Sequence, residues 1–169
     1  MDQQTLREVQ APLKARYREE PTAALVTLTA SGALDSMDVV CSVSTGQALV
    51  KAGLHPATGG DGSLACSGDL LLQALVACAG VTLRAVATAM DIPVAGTVRA
   101  EGDLDFRGTL GVDKQALVGF QAIRLIFELE SSAPQEQMDK LLQLTERYCV
   151  VYQTLANGAA MTTIVNRAD

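Results

Sequence analysis

Cys41, Cys66, Cys78 and Cys149, with the one histidine, His55, are the residues whose types invite chemistry in this chain of 169. No two cysteines stand at zinc-knuckle or thioredoxin-type spacing, and one histidine supplies no His-rich set. No metal site and no cofactor are therefore expected. What remains is the chemistry of sulfur itself: nucleophilic thiolates, sulfenic acids and disulfides. Residues 1–20 are polar, with no apolar stretch and no small-residue cleavage site, so the chain is expected in the cytoplasm. Structural disulfides are rare there, and any bridge would be a redox event.

The four cysteines sit in different surroundings. Cys41 alternates with Val39 and Val43 along a strand pattern and reads as a small buried hydrophobe. Cys66 lies in a Gly/Ser-rich loop, open to oxidation but without an activating neighbour. Cys78 falls mid-helix in LLLQALVACAGVTLRAV, and on its residues alone such a cysteine simply packs. Cys149 falls in ERYCVVYQTL, where one helix ends and another begins. Its sulfur could face a helix amino terminus and be acidified, or it could merely pack; the pattern leaves both open.

The elements that must position these residues are legible in outline. Residues 2–20 read as helical or irregular, broken at Pro12. Segments 25–30 (LVTLTA) and 37–44 (MDVVCSVS) read as an antiparallel strand pair. From 53 to 68 the chain reads as loop. A helix follows over 70–90, capped by Ser67, with Asp69 in its first turn and Pro93 beyond its end. At about 100° per residue Gln73 and Arg84 fall within roughly 20° of each other. Almost all the rest of that cylinder is apolar, as for a helix buried on most sides.

Segments 97–106 and 121–131 alternate apolar and charged residues, with Ile126 the one exception, as strands covered on one face do. The connection 107–119 is long and projects outward. A helix begins near Ser132 and Pro134 with Met138, Leu141, Leu142 and Thr145 on one face. A short helix over 150–156 ends at Asn157-Gly158, and 161–166 (MTTIVN) reads as a last strand. The fold class is α+β, an antiparallel sheet packed on a long buried helix. Residues 1–20 form an N-terminal helical or irregular segment, and 21–169 a single domain.

Composition narrows the partners. Hydrophobic residues make up 49% before the 14 glycines are counted, against roughly 45–50% with glycine included in ordinary soluble chains. Charged residues are only 19%, which excludes intrinsic disorder. A net charge of −6 without any basic run argues against a nucleic-acid partner. The longest unbroken apolar run, 74–81, is far short of a bilayer span, so no membrane partner is expected. The apolar surplus points to a subunit interface.

The stretch HPATGGDGSLACSGDLLLQALVACAGVTLRAVATAMDIP, then EGDLDF, GFQAIRLIFELES and ERYCVVYQTL, resembles a divergent branch of the OsmC/Ohr family of osmotically inducible and organic-hydroperoxide-resistance proteins. The likeness runs from about residue 23 to the carboxyl terminus. It implies an OsmC-like fold, an intertwined homodimer and a thiol peroxidase acting on organic hydroperoxides in oxidative-stress defence. By that resemblance Cys78 is peroxidatic and Cys149 resolving, the two close a disulfide, and a lipoyl-type dithiol resets it. The family activates its cysteine with an arginine, for which Arg16 and Arg18 are the candidates, held by a glutamate at the start of the cysteine helix.

Here the chain departs from the pattern. Gly68 stands where the glutamate is common, followed by the shorter Asp69, and Val150 stands where many relatives carry proline. His55 is a candidate at the substrate pocket mouth, or simply exposed. Arg84 supplies a polar stripe. Two other functions fit the same residues: a non-catalytic dimeric module binding an apolar small molecule, and a passive redox-stress component with buried thiols.

Overall fold

A computed structural model describes residues 3–34, 41–43 and 52–165, with side chains over 8–26 and 53–165. Helix α1 (Gln3–Glu19) precedes strands β1 (Leu25–Leu34), β2 (Cys41–Val43), β3 (Ala52–Gly53) and β4 (Ala65–Cys66). Helix α2 (Ser67–Ala89), strand β5 (Ala95–Asp105), the one-turn α3 (Phe106–Thr109) and strand β6 (Phe120–Glu130) follow. Helices α4 (Gln135–Tyr148) and α5 (Val150–Asn157) complete the described elements. Four strands form an antiparallel sheet in the order β2-β1-β5-β6, and β3 and β4 make a short parallel pair. The class is α+β, as the patterning predicts.

The half-wet strands explain how the sheet is used. Val98, Ala100 and Leu104 of β5 are buried, and α2 covers that side, packing on β1 and β5. On the outer side Arg124 pairs with Glu101 and Asp103, and Arg99 with Glu101 and Glu128. Such exposed ladders contribute little each and mark a solvated face. Ile126 stands opposite Arg99 on that face.

Several expectations are corrected. Pro12 does not break α1, which runs continuously through it. The proline forfeits one bond, to the carbonyl of Glu8, at an exposed position where water can replace it. β1 continues past Ser31-Gly32 to Leu34, because β5 offers it a matching edge as far as Ala33. The 53–68 loop contains β4 and a 3-10 turn over Pro56–Thr58. Ser67 is already helical; Cys66 is the N-cap residue of α2 and makes no side-chain capping bond. Asp105, read as outward, is only 2% exposed. The segment 161–165 forms no strand and is exposed, since a strand needs an edge and none lies beside it among the described residues. Within 37–44, only 41–43 lie inside the described residues.

The long helix differs in a second respect. At 23 residues, with an 18-residue stretch of mean hydropathy 1.9, α2 is long and apolar enough to cross a membrane, although no unbroken apolar run in the sequence is. Its role is nevertheless that of a core helix: Leu72, Leu75, Val76, Ala79, Gly80, Leu83 and Ala87 are buried against the sheet, α4 and α5. The opposite strip, Leu71, Ala74, Val81 and Ala85, is open. Among the described residues, one chain leaves this strip of the helix uncovered.

Asp105 terminates β5 and caps α3. One carboxylate oxygen accepts from the Arg107 amide at 3.0 Å, and the guanidinium donates to both oxygens at 2.5–3.1 Å. Those hydrogen bonds hold the carboxyl below its ordinary range, against burial that pushes it up. A depressed carboxyl stabilises the fold above its unfolded pKa, and that contribution is lost as pH falls through the folded value. Asp105→Asn keeps a capping oxygen but removes the charge. It is expected to cost about 3 kcal/mol at neutral pH, with the gap from wild type closing below roughly pH 4; urea unfolding across pH measures both.

Candidate active site

The site is made where the middle of α2 meets the corner between α4 and α5. On α2, Cys78 lies within the open strip, between Ala74 and Val81, half-buried and packed against the core. Cys149 is the single residue between α4 and α5, in extended conformation, and serves as C-cap of one and N-cap of the other. Its amide donates to the Thr145 carbonyl at 2.9 Å, and its carbonyl accepts from Gln153 at 2.9 Å. Thr145 is itself buried and donates its hydroxyl to the Leu141 carbonyl at 2.8 Å. The corner is thus held by hydrogen bonds on both sides.

This corner brings the two thiols together. The Cys149 sulfur, 0% exposed, accepts from the Tyr152 amide at 3.4 Å and acts on Cys78. The amides of Val151 and Val150, at the amino terminus of α5, and the Thr82 hydroxyl also act on the Cys78 thiol. A helix amino terminus stabilises negative charge. Burial alone pushes the Cys78 thiol up, and it is the largest single influence. The Val151 amide, the Cys149 thiol, the Thr82 hydroxyl and the Val150 amide together outweigh it, and the pKa ends below that of an ordinary thiol. Cys149 goes the other way: burial and its bond to Cys78 push it up to about 11 despite the Tyr152 amide. Neither cysteine is in a disulfide.

A predominantly apolar cavity of about 320 Å³ is walled by near neighbours of this pair in the chain, Leu75 and Tyr152, with Phe120, Ile123, Leu125 and Leu155; neither sulfur lines it. Leu75 lies one turn before Cys78, and Tyr152 supplies the amide that holds Cys149. The volume lies at the lower end of the range for small-molecule sites.

The remaining candidates lie elsewhere. Arg16 and Arg18 are exposed on α1, where Arg16 approaches Glu20 at 4.0 Å; no guanidinium is among the groups acting on the Cys78 sulfur. Asp69, in the first turn of α2, stands about 13 Å from Cys78 along the helix axis. His55 is half-buried: its Nδ1 accepts from the Ala57 amide at 3.0 Å, and its ring stacks on Phe106 with centroids 5.0 Å apart. Cys66 is half-buried ahead of α2. The side chain of Cys41 lies outside the described residues. Arg84 donates to the Val94 carbonyl at 3.1 Å.

Sequence reasoning missed Thr82 and the amides of 150 and 151. A signal for Thr82 existed, since it follows Cys78 by one helical turn on the same side. The helix amino terminus was foreseen at Cys149, whose sulfur does accept from the Tyr152 amide; the acidification expected there fails, because burial pushes that thiol up, and the thiol that falls is Cys78.

A fold of this kind, with this corner, defines a class. A family model described as OsmC-like protein matches residues 60–164, well over half of the chain, and the chain belongs to that family. Among solved structures it is similar to an OsmC-like hydroperoxide resistance protein from Jannaschia sp. CCS1, with a TM-score of 0.57 and 17% identity over 86% of this chain and 96% of that one. At that identity the likeness is one of fold. A search of curated protein sequences finds no match.

Val150 offers a clean test of the activation. It occupies the first position of α5, where proline is tolerated, and the extended Cys149 before it suits a following proline. Val150→Pro removes one amide donor and little else. The midpoint of Cys78 carboxymethylation against pH is expected below that of an ordinary thiol in the wild type and higher in the variant, with several-fold slower alkylation at neutral pH. Mass mapping of iodoacetamide adducts reads both.

Proposed function

We propose that the protein is a cysteine-based peroxidase that reduces organic hydroperoxides, with Cys78 as nucleophile and Cys149 as resolving thiol. The observation that carries this reading is the packing of both thiols in one cluster where α2 meets the α4–α5 corner, with the first amides of α5 drawing the Cys78 pKa down. The Cys78 thiolate attacks the terminal peroxide oxygen, the O–O bond breaks, and the alkoxide leaves as alcohol after taking up a proton. Cys78 is then a sulfenic acid. The Cys149 sulfur attacks it, its proton and the hydroxyl leave as water, and a Cys78–Cys149 disulfide remains. A dithiol reductant, of lipoyl type by family resemblance, returns both thiols by exchange. The apolar cavity suits alkyl hydroperoxides over small polar ones, and a cytoplasmic setting would supply the reductant.

One equivalent of cumene hydroperoxide is expected to remove two hydrogens from the reduced protein, mapped to a Cys78–Cys149 bridge. In Cys78→Ser the bridge should be absent. Cys149→Ser, whose hydroxyl can still cap α5, should stop at a sulfenic acid that dimedone traps. Oxidation no faster than that of free cysteine would overturn the reading. The alternative, a module that binds an apolar molecule without turning it over, draws on the same cavity. It requires unaltered ligand affinity in Cys78→Ser and background peroxide consumption in the wild type.

The same reading includes a homodimer in which the chains intertwine. Its support is the open apolar strip of α2, Leu71, Ala74, Val81 and Ala85, together with the exposed Met161, Ile164 and Val165. Strips of small and branched residues pack closely against a second helix. Val81→Asp, an exposed position in the single chain, is expected to convert a dimer to a monomer in sedimentation velocity without loss of helix by circular dichroism.

A further inference from the structure

A second cavity of about 380 Å³, predominantly apolar, is lined by His55, Cys66, Leu71, Phe106 and Val118, among others, and shares one wall with the cavity walled by Leu75 and Tyr152: Phe120 lines both. The position of that ring is a consequence of register. Along β6 the inward residues are Ile123, Leu125, Phe127 and Leu129, and unbroken alternation would send residue 120 outward with Ala122 and Arg124. Instead Asp103 pairs with Ala122 and Leu104 with Phe120, leaving Gln121 as an extra residue. This β-bulge reverses the parity and turns Phe120 inward, opposite buried Leu104.

The ring then lies on the backbone of β5 at Gly102, where a Cβ would come within 2.4 Å of Phe120 Cε1. No larger residue fits there without moving the ring. On the opposite side, Leu71 and Leu75 stand one turn apart on α2 and line the second and first cavities respectively. The two spaces thus share an apolar rim.

We propose that Phe120 sets the upper length of the apolar chain that the thiol site accepts, its ring closing the cavity walled by Leu75 and Tyr152 from the one that reaches His55 and Cys66. The chemistry of the ligand, an alkyl hydroperoxide, rests on the peroxidase reading above; the wall itself does not. With the ring removed, one continuous apolar channel would accommodate a chain that now has to bend back to solvent.

The test compares kcat/KM for linoleic acid hydroperoxide with that for tert-butyl hydroperoxide, and measures oleate binding to the reduced protein by calorimetry. Phe120→Ala is expected to raise the long-to-short selectivity ratio about tenfold or more, in the range that altered hydrophobic contacts produce, and to tighten oleate binding. Phe120→Leu should move both in the same direction by less. Unchanged selectivity and unchanged oleate affinity in folded variants would overturn the proposal. If the wild type consumes no peroxide, the peroxidase reading fails, while oleate affinity still decides the role of Phe120. If Phe120→Ala does not fold, the same two measurements on Phe120→Leu decide it.

Discussion

The contact between the Cys78 sulfur and the first turn of α5 is the interaction on which the rest of the site depends. A thiolate taken out of water carries a desolvation penalty that an apolar pocket cannot return. In this fold the return comes from neutral donors, two backbone amides, a hydroxyl and a thiol, arranged before any substrate arrives. Those donors are useful only if α5 is held at one angle to α2. The corner achieves this with a single connecting residue, Cys149, bonded through its amide to α4 and through its carbonyl and sulfur to α5. Cys149 is therefore the joint that aims the helix.

The same corner separates the two thiols electrically. Both are sheltered, and burial pushes both up. Cys78 receives four donors and falls below an ordinary thiol, while Cys149 rises to about 11. Adjacent titratable groups whose surroundings drive them apart mark a division of labour. The lower pKa belongs to Cys78 and the higher to Cys149, so the two sulfurs are distinguished by the fold itself.

Much of this frame was legible because its signals are local. The 3.6-residue pattern marked α2 and α4, strict alternation marked β5 and β6, and Asn157-Gly158 marked the end of α5. Boundaries slipped where tertiary context intervenes. β1 was extended by the edge that β5 offers, and Asp105 was drawn inward by Arg107. The inward turn of Phe120 depends on one extra residue in the pairing, which no single strand records. The reactive pair was harder. Apolar neighbours around Cys78 look the same whether it packs or reacts, and the difference lies in backbone amides, which every sequence contains and no sequence displays. Resemblance supplied that pairing, and geometry supplied its physical cause.

The departures at Gly68 and Val150 take on a sense in this light. A proline after Cys149 would have no N–H to give; valine has one, and it points at the Cys78 sulfur. A guanidinium activates a thiolate as a full charge, screened by salt and dependent on a carboxylate to hold it. Amides at a helix terminus carry only partial charges, but they are fixed by the fold and need no such partner. An arginine anchored by a glutamate and a helix that begins one N–H earlier are two solutions to the same electrostatic requirement. Among the described residues, the wall of the cavity by Leu75 and Tyr152 carries no charged side chain, so an apolar group placed there would desolvate no cation.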